Sequence, residues 1–253
     1  MYRDVAERNG YGVTFEEFIE QEKSFTQNDV EKIKKAVEKL DNFFDITVPG
    51  QWVPADSSLW DSIARDRKIK NQFETGRSRG GTNLEIRTSW EYRIAKENVK
   101  NNTKELEIKE QNVPYNIRPK YGIRVKNNFK EAYEGPARSQ YGDILIKYND
   151  DVAKRTTYTL GNSSGEVPAF VEDSKYFAFR DIKYGHDVER VIDSVNSVLD
   201  YSYKYCEMQI WGEVDVDRDI MEIIVPKKEQ YDKIYDKIVR RFPNIPVKRG
   251  EVK

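Results

Sequence analysis

Residues 205–214, YCEMQIWGEV, constrain the fold most, because they form a strand pattern with one apolar and one polar face. Side chains alternate across a strand, so every second residue shares a face. The polar face carries Glu207, Gln209, Trp211 and Glu213, and the apolar face carries Cys206, Met208, Ile210 and the hydrogen of Gly212. A surface-exposed antiparallel strand shows the same alternation. The segments that accompany this strand therefore decide whether its polar face is a site or a solvated surface.

The composition excludes several classes of protein. Lys and Arg number 43 against 44 Asp and Glu, a formal net charge of −1, so there is no basic field that would indicate nucleic-acid binding. One cysteine and one histidine provide neither an internal disulfide nor a Cys/His metal site, which favours an intracellular working environment. No apolar run approaches the roughly 20 residues of a membrane helix, and the start MYRDVAERNG lacks the apolar segment of a signal peptide. We expect a cytoplasmic protein, or one delivered into a target cell without a cleaved leader, and no membrane partner.

Residues 1–112 are predicted to form a helical lobe. Thr26 begins an amphipathic run that extends to Phe44, with Asp29 as its capping-box partner. Residues 45–60 are interpreted as an irregular connection, and residues 88–110 as a further charged helix. The basic segment 65–93, around the loop GRSRGG, matches no Walker A or Rossmann spacing and is interpreted as a solvated loop. A nucleic-acid enzyme that uses this basic segment is a third functional hypothesis.

Residues 113–253 are predicted to form an α+β core. Arg118 precedes Pro119, whose missing N–H places it at a strand end or a sheet edge, where a guanidinium can bind pyrophosphate in a bidentate way. Residues 155–160 predict a strand with Thr157 and Thr159 on one face. An aromatic loop at 174–187, a helix from Asp187, a strand at 220–225 and a last helix at 228–242 complete the core.

Two isolated reactive side chains are interpreted as structural. His186 follows the threonine strand and lies at a helix start or on the surface. Cys206 falls on the apolar face of its strand and is interpreted as a core residue rather than a nucleophile.

Three motifs, NIRPKYG, RTTYTLGNSS and YCEMQIWGEV, occur in this order within residues 113–226. Together they resemble the arginine, Ser/Thr, glutamate type of the ADP-ribosyltransferase superfamily, in the style of bacterial and phage toxin domains. The resemblance implies a helical lobe followed by a split mixed β-sheet core that binds NAD as substrate. It implies transfer of ADP-ribose to a protein or another macromolecular acceptor, release of nicotinamide, and a possible neutralising immunity partner. A non-catalytic binding module, or a phage structural module, with the same fold is the alternative.

The resemblance also implies roles for particular residues. Arg118 would hold the NAD phosphates, and Glu207 would bind the 2′-hydroxyl of the nicotinamide ribose and stabilise the oxocarbenium ion. One hydroxyl among three candidates would orient that carboxylate, Gln209 would take a neighbouring polar role, and one of two phenylalanines would form an aromatic wall against nicotinamide. The hydroxyl candidates are Thr157, Thr159 and Ser163, and the aromatic candidates are Phe177 and Phe179.

The identity of the catalytic glutamate stays open between two residues. In this family the last motif is commonly Glu or Gln, then any residue, then Glu. This chain has Glu207, Met208 and Gln209 at the corresponding positions. Glu213 is therefore the alternative. Gly212 suggests that the strand is already ending there, which favours Glu207.

Overall fold

The computed structural model describes residues 5–8, 10–76, 84–99, 114–135, 138, 141–160 and 175–252. Within these residues a seven-stranded mixed sheet is combined with helices, a mixture compatible with the expected α+β class. No helix in these ranges has the length and apolarity needed to cross a bilayer.

The strands of the described segments are β1 Thr47–Val53, β2 Lys68–Ile69, β3 Lys120–Lys126, β4 Ile144–Tyr148, β5 Thr156–Leu160, β6 Cys206–Ile210, β7 Val214–Asp215, β8 Ile220–Pro226 and β9 Val247–Gly250. The helices are α1 Val5–Arg8, α2 Phe15–Gln21, α3 Gln27–Ile46, α4 Ser57–Asp66, α5 Gln72–Thr75, α6 Leu84–Val99, α7 Phe129–Tyr133, α8 Asp150–Ala153, α9 Tyr176–Lys183, α10 Val188–Lys204, α11 Val216–Asp219 and α12 Asp232–Arg241. Two short 3-10 turns occupy Tyr115–Ile117 and Glu229–Tyr231.

The large sheet has the strand order β5-β6-β3-β1-β4-β8-β9. Its neighbours are antiparallel except for β8 and β9, which run parallel. Strands β2 and β7 form a separate two-stranded sheet. β6 lies between β3 and β5, so the strand that carries Glu207 touches both the strand after Arg118 and the threonine strand.

Local sequence signals explain the long helices. The Thr26 hydroxyl accepts from the Asp29 amide, and the Asp29 carboxylate accepts from the Thr26 amide, so the predicted capping box at the start of α3 is confirmed. α3 buries Val30, Ile33, Val37 and Leu40 along one stripe. This stripe and the apolar face of α10 belong to the same core.

The two faces of the large sheet have different environments. The main core covers one face with α3, α9 and α10, and it includes Ile146, Tyr158 and Met208. A smaller core covers part of the opposite face, where Trp52 and Ile123 pack beside α7. Glu207 and its polar neighbours lie on this second face, because Glu207 pairs directly with Ile123.

The interpretation of residues 45–60 as an irregular connection is wrong. Residues 47–53 form β1, between β3 and β4, and α4 begins at Ser57. Residues 47–50 pair with β3, and residues 50–53 pair with β4. Pro49 is tolerated because it pairs with β3 alone and needs no strand hydrogen bond on the side of β4. Gly50 allows the close approach of its neighbours, since a Cβ there would meet Val125 Cγ2 at 2.8 Å. Both sides of the predicted boundary at residues 112 and 113 thus contribute strands to one sheet.

Candidate active site on the polar face of the sheet

Four predicted site residues meet on adjacent strands and form what we call the polar strip: Thr157, Thr159, Glu207 and Gln209. In the antiparallel register of β5 and β6, Thr157 faces Gln209 and Thr159 faces Glu207. Directly paired side chains on one face of an antiparallel pair lie close together. All four are buried, which the alternating pattern alone did not predict.

Gln209 is the centre of the polar strip. Its Nε2 group donates to Glu207 Oε1 and to Thr159 Oγ1, at 3.1 Å each. Its Oε1 atom accepts from Thr157 Oγ1 at 2.9 Å. The hydroxyl of Thr157 in turn accepts from Trp211 Nε1 at 2.9 Å. The strip is therefore a connected hydrogen-bond network, which fixes the orientation of the Glu207 carboxylate.

Two tyrosines extend the network on the other side of Glu207. Tyr205 OH donates to Glu207 Oε2 at 3.4 Å, and the hydroxyls of Tyr205 and Tyr141 are 3.1 Å apart. Burial raises the pKa of Tyr205, and the neighbouring Glu207 charge raises it further. The Tyr205 hydroxyl therefore keeps its proton at neutral pH and remains a donor toward the carboxylate.

Arg118 lies two residues before β3 and is buried, with 4% of its surface exposed. Its Nη1 atom donates to Glu91 Oε2 at 3.1 Å and to Thr88 Oγ1 at 3.2 Å, both on α6. The guanidinium carbon lies 4.0 Å from the ring centroid of Phe73. The predicted phosphate-binding group is thus enclosed between an aromatic ring and a helix.

The backbone of Arg118 is held by two buried side chains. Asn71 Nδ2 donates to the carbonyls of Arg118 at 3.1 Å and of Tyr115 at 2.6 Å. Lys120 Nζ donates to the Arg118 carbonyl at 3.3 Å and to the Gly212 carbonyl, after β6, at 2.9 Å. Burial lowers the pKa of Lys120. These bonds tie the segment before β3 to the end of the Glu207 strand.

Tyr121 connects the arginine to the polar strip. It pairs directly with Gln209 across β3 and β6, and its hydroxyl donates to Glu91 Oε1 at 3.2 Å. Burial raises the pKa of Tyr121, and the charges of Glu91 and Glu207 add to this effect. Tyr121 therefore interacts both with Glu207 and with the carboxylate that Arg118 binds.

Glu91 is the functional candidate that the sequence analysis missed. It is 1% exposed, and burial raises its pKa to about 7, although Arg118 and Tyr121 act in the opposite direction. A glutamate in a charged helix resembles a solvated residue in the sequence. Its position one helical turn after Arg87 and Thr88 was the only signal of a shared polar face.

The two predicted aromatic candidates lie elsewhere. The prediction of a loop around them is wrong, because Phe177 and Phe179 belong to helix α9. Both belong to the main core with Met208, on the face of β6 opposite to Glu207. Phe179 packs against Phe18, with ring centroids 5.0 Å apart. The helix forms because Phe177, Ala178 and Ile182 give it an apolar face against that core.

The remaining predicted residues have different outcomes. Ser163 lies outside the described residues. Glu213 lies beyond the end of β6 at Ile210, after Gly212, which has a left-handed conformation with φ of 80°. The Glu213 carboxylate accepts from Lys68 at 3.0 Å and from Asn116 at 3.1 Å, and the bond from Lys68 lowers its pKa. Glu213 is half-exposed and does not share the network of Glu207.

Two other interpretations of single residues are confirmed. Cys206 is buried in the main core, and His186 is exposed just before α10. Across the described ranges, no cluster of His, Cys, Asp and Glu side chains could hold a metal ion.

Two open grooves lie along α12, and the larger one also borders α4. They have volumes of about 750 and 470 Å³ and share a basic lining that includes Arg240 and Arg241. None of the predicted site residues lines either groove.

Neither a protein-family model nor a curated protein sequence matches this chain.

Proposed function

We propose that the protein transfers ADP-ribose from NAD to a macromolecular acceptor, with Glu207 as the catalytic carboxylate and Arg118 as the phosphate-binding residue. The observation that carries the proposal is the buried network on β5 and β6, in which Gln209 binds both Glu207 and Thr159. In this network the glutamate and hydroxyl motifs meet on neighbouring strands, and β3, which follows Arg118, adjoins the glutamate strand.

The reaction requires stabilisation of a positive charge. The bond between C1′ of the ribose and the nicotinamide nitrogen breaks, and nicotinamide leaves with the electron pair. The acceptor nucleophile then bonds to C1′ and releases its proton. A carboxylate that is already oriented stabilises the cationic ribose without reorganisation, and removal of such a group costs about 10²–10³ in rate.

The arginine retains binding capacity for the phosphates. Among the described residues, Arg118 Nε has no hydrogen-bond partner although it is buried. A buried donor without an acceptor is unfavourable, so an oxygen of a bound phosphate would satisfy it. A planar guanidinium also matches the geometry of phosphate oxygens.

The test compares the wild-type protein with Glu207→Gln and Glu213→Gln. Each protein is incubated with labelled NAD and a cell lysate, and both nicotinamide release and label transfer are measured. We expect Glu207→Gln to lose about 10²–10³ in rate and Glu213→Gln to keep the wild-type rate. Glu213→Gln is a matched control, because it removes the same charge from the other candidate glutamate. Equal rates for wild type and Glu207→Gln, or no NAD consumption by wild type, would contradict the proposal.

A specific observation favours the second candidate, a non-catalytic binding or phage structural module. Glu207 is 5% exposed and Arg118 is enclosed by α6, so NAD reaches them only if part of the surrounding structure moves. The two candidates differ in ligand binding. At 100 times its dissociation constant, NAD should stabilise a transferase by about 2.7 kcal/mol, which a thermal shift measures. A non-catalytic module that does not bind NAD shows no shift.

The proposal also includes a location and partners. The acceptor is a protein or another macromolecule in the cytoplasm, or in a cell into which the protein is delivered. A neutralising immunity partner belongs to the toxin form of the proposal.

A further inference from the structure

The inner face of α6 places a carboxylate on the buried arginine. Arg87, Thr88 and Glu91 lie within one helical turn of each other and so share one face of the helix. Thr88 and Glu91 both accept from Arg118 Nη1. Ile94, one further turn along, is buried and completes this face.

A second guanidinium accompanies Arg118 at this place. The guanidinium carbon of Arg87 lies 4.4 Å from the ring centroid of Tyr121, and its charge acts on Glu91. Like that of Arg118, the Nε atom of Arg87 is buried without a hydrogen-bond partner in the described part of the chain. Two arginines with spare donors thus surround one carboxylate.

The charges favour a ligand more anionic than Glu91. Glu91 neutralises only one of the two guanidiniums, whereas a pyrophosphate diester carries two negative charges and several acceptor oxygens. Among the described residues, two further carboxylates nearby already have partners: Glu207 is hydrogen-bonded to Gln209 and Tyr205, and Glu74 pairs with Lys120. Charge-assisted bonds from arginine to phosphate are among the strong hydrogen bonds in proteins.

We propose that the Glu91 carboxylate occupies the place of a phosphate group, and that the pyrophosphate of a nucleotide displaces it to bind Arg118 and Arg87. This inference rests on the proposed function and extends it. It adds Arg87 to the binding residues, and it means that Glu91 of α6 competes with the pyrophosphate for Arg118. Binding then requires a state in which Glu91 has left Arg118. The apparent dissociation constant is the intrinsic one divided by the fraction of molecules in that state.

The interaction between Glu91 and Arg118 is weak enough for a pyrophosphate to displace Glu91. Burial raises the pKa of Glu91 to about 7 despite Arg118, Arg87 and Tyr121, so near neutral pH the carboxyl is charged only part of the time. The cost of burying both charges offsets most of their attraction.

The test uses ADP-ribose as the probe, because it contains the pyrophosphate but no nicotinamide and is not a substrate of the proposed reaction. Dissociation constants are measured by isothermal titration calorimetry for wild type, Glu91→Gln and Glu85→Gln. Glu85 is an exposed residue of the same helix, so its variant is a control for the change of charge. We expect Glu91→Gln to bind ADP-ribose about tenfold more tightly and Glu85→Gln to bind like wild type. In the double variant Glu91→Gln with Arg87→Met, this gain should disappear.

A second variant keeps the proposal testable if Glu91→Gln does not fold. Thr88→Val removes the other α6 acceptor of Arg118 and keeps Glu91, and we expect about threefold tighter binding of ADP-ribose. Unchanged or weaker binding in every α6 variant that folds, or a gain that survives Arg87→Met, would overturn the inference. If NAD is consumed in a Glu207-dependent way but these affinity changes are absent, the displacement of Glu91 is rejected and the proposed transferase function is kept. Tighter binding in the α6 variants without NAD consumption rejects the transferase and keeps the binding site.

Discussion

Gln209 donates a hydrogen bond of 3.1 Å to Glu207 Oε1, from two residues further along the same strand. The contact is possible because residues i and i+2 of a strand point to the same face. Gln209 also binds a threonine on each side of this contact, so its amide is fixed by three side chains. The orientation of the proposed catalytic carboxylate therefore depends on an uncharged neighbour.

Replacement of Gln209 by leucine should destabilise the fold. Gln209→Leu keeps a similar volume but leaves Glu207, Thr157 and Thr159 each without one hydrogen bond inside the protein. We expect the free energy of unfolding to fall by about 3 kcal/mol or more, since three buried groups each lose a hydrogen bond and each such loss costs about 1–3 kcal/mol. Urea unfolding at pH 7 measures the change. Gln21→Leu, at the exposed last position of α2, is the control and should change stability by less than about 0.5 kcal/mol. A loss for Gln209→Leu no larger than for this control would contradict the assigned network.

Glu91 should make stability depend on pH. Its pKa is raised to about 7 in the folded protein from an ordinary value of 4.5, so between these values the folded state binds a proton that the unfolded state has released. Stability from this group is therefore complete below about pH 4.5 and is lost as the pH rises through about 7, a difference of about 3 kcal/mol.

The contribution is measured as a difference between two proteins. Urea unfolding of wild type and Glu91→Gln is followed from pH 5 to pH 8, and other titrating groups cancel in the comparison. We expect wild type to lose stability relative to Glu91→Gln as the pH rises. Parallel pH profiles would show that Glu91 has an ordinary pKa and is not buried as described.

The sequence predicts elements whose signals are local. Helix α3 follows from Thr26 and Asp29 at its start and from an apolar stripe, and β6 follows from the alternation around Glu207, as both depend on neighbours within a few residues. Strand β1 was missed, because Pro49 and Gly50 indicate a turn, and only pairing with strands far along the chain makes them tolerable.

The candidate site was predictable only in part, for the same reason. Alternation and motif order brought Thr157, Thr159, Glu207 and Gln209 together correctly on one face. The burial of Glu91 against Arg118 arises from how α6 packs on the sheet, and no local pattern records that packing. One of Phe177 and Phe179 is predicted to form an aromatic wall against nicotinamide, but both pack in the main core. Aromatic residues in this sequence pattern suit the buried face of a helix as well as they suit a ligand site.

Lys120 should stabilise the segment that carries Arg118 strongly enough for its loss to be measured as a loss of folding stability. Lys120→Met keeps the apolar stem but removes an ammonium that donates to three backbone carbonyls and pairs with Glu74 at 3.5 Å. We expect a loss of about 3–5 kcal/mol, as for other buried ion pairs that lose one partner. Thermal and urea unfolding measure it.

The control for this change is Lys126→Met on the same strand. Lys126 is exposed and pairs with Glu131 at 2.8 Å, and exposed pairs contribute about 0–1 kcal/mol. Similar losses for the two variants would mean that the ammonium of Lys120 does not hold the carbonyls of this segment.

The two faces of β5 allow the hydroxyl that positions Glu207 to be identified. Thr159 accepts from the same Gln209 amide that binds Glu207, whereas Thr156 faces the main core and donates to the Val152 carbonyl at 2.7 Å. Valine has nearly the shape of threonine, so each substitution removes one hydroxyl from one face. We expect Thr159→Val and Thr156→Val to lose about 1–2 kcal/mol of stability each, because each removes one buried hydrogen bond.

Only Thr159→Val should slow NAD consumption. The effect should be a lower kcat with little change in KM, since Thr159 acts on the carboxylate through Gln209 and does not contact the bound substrate. Nicotinamide release by the two purified variants, compared at equal folded concentration, measures this difference. An equal decrease in kcat for both variants would mean that the effect is one of stability and that Thr159 does not position Glu207.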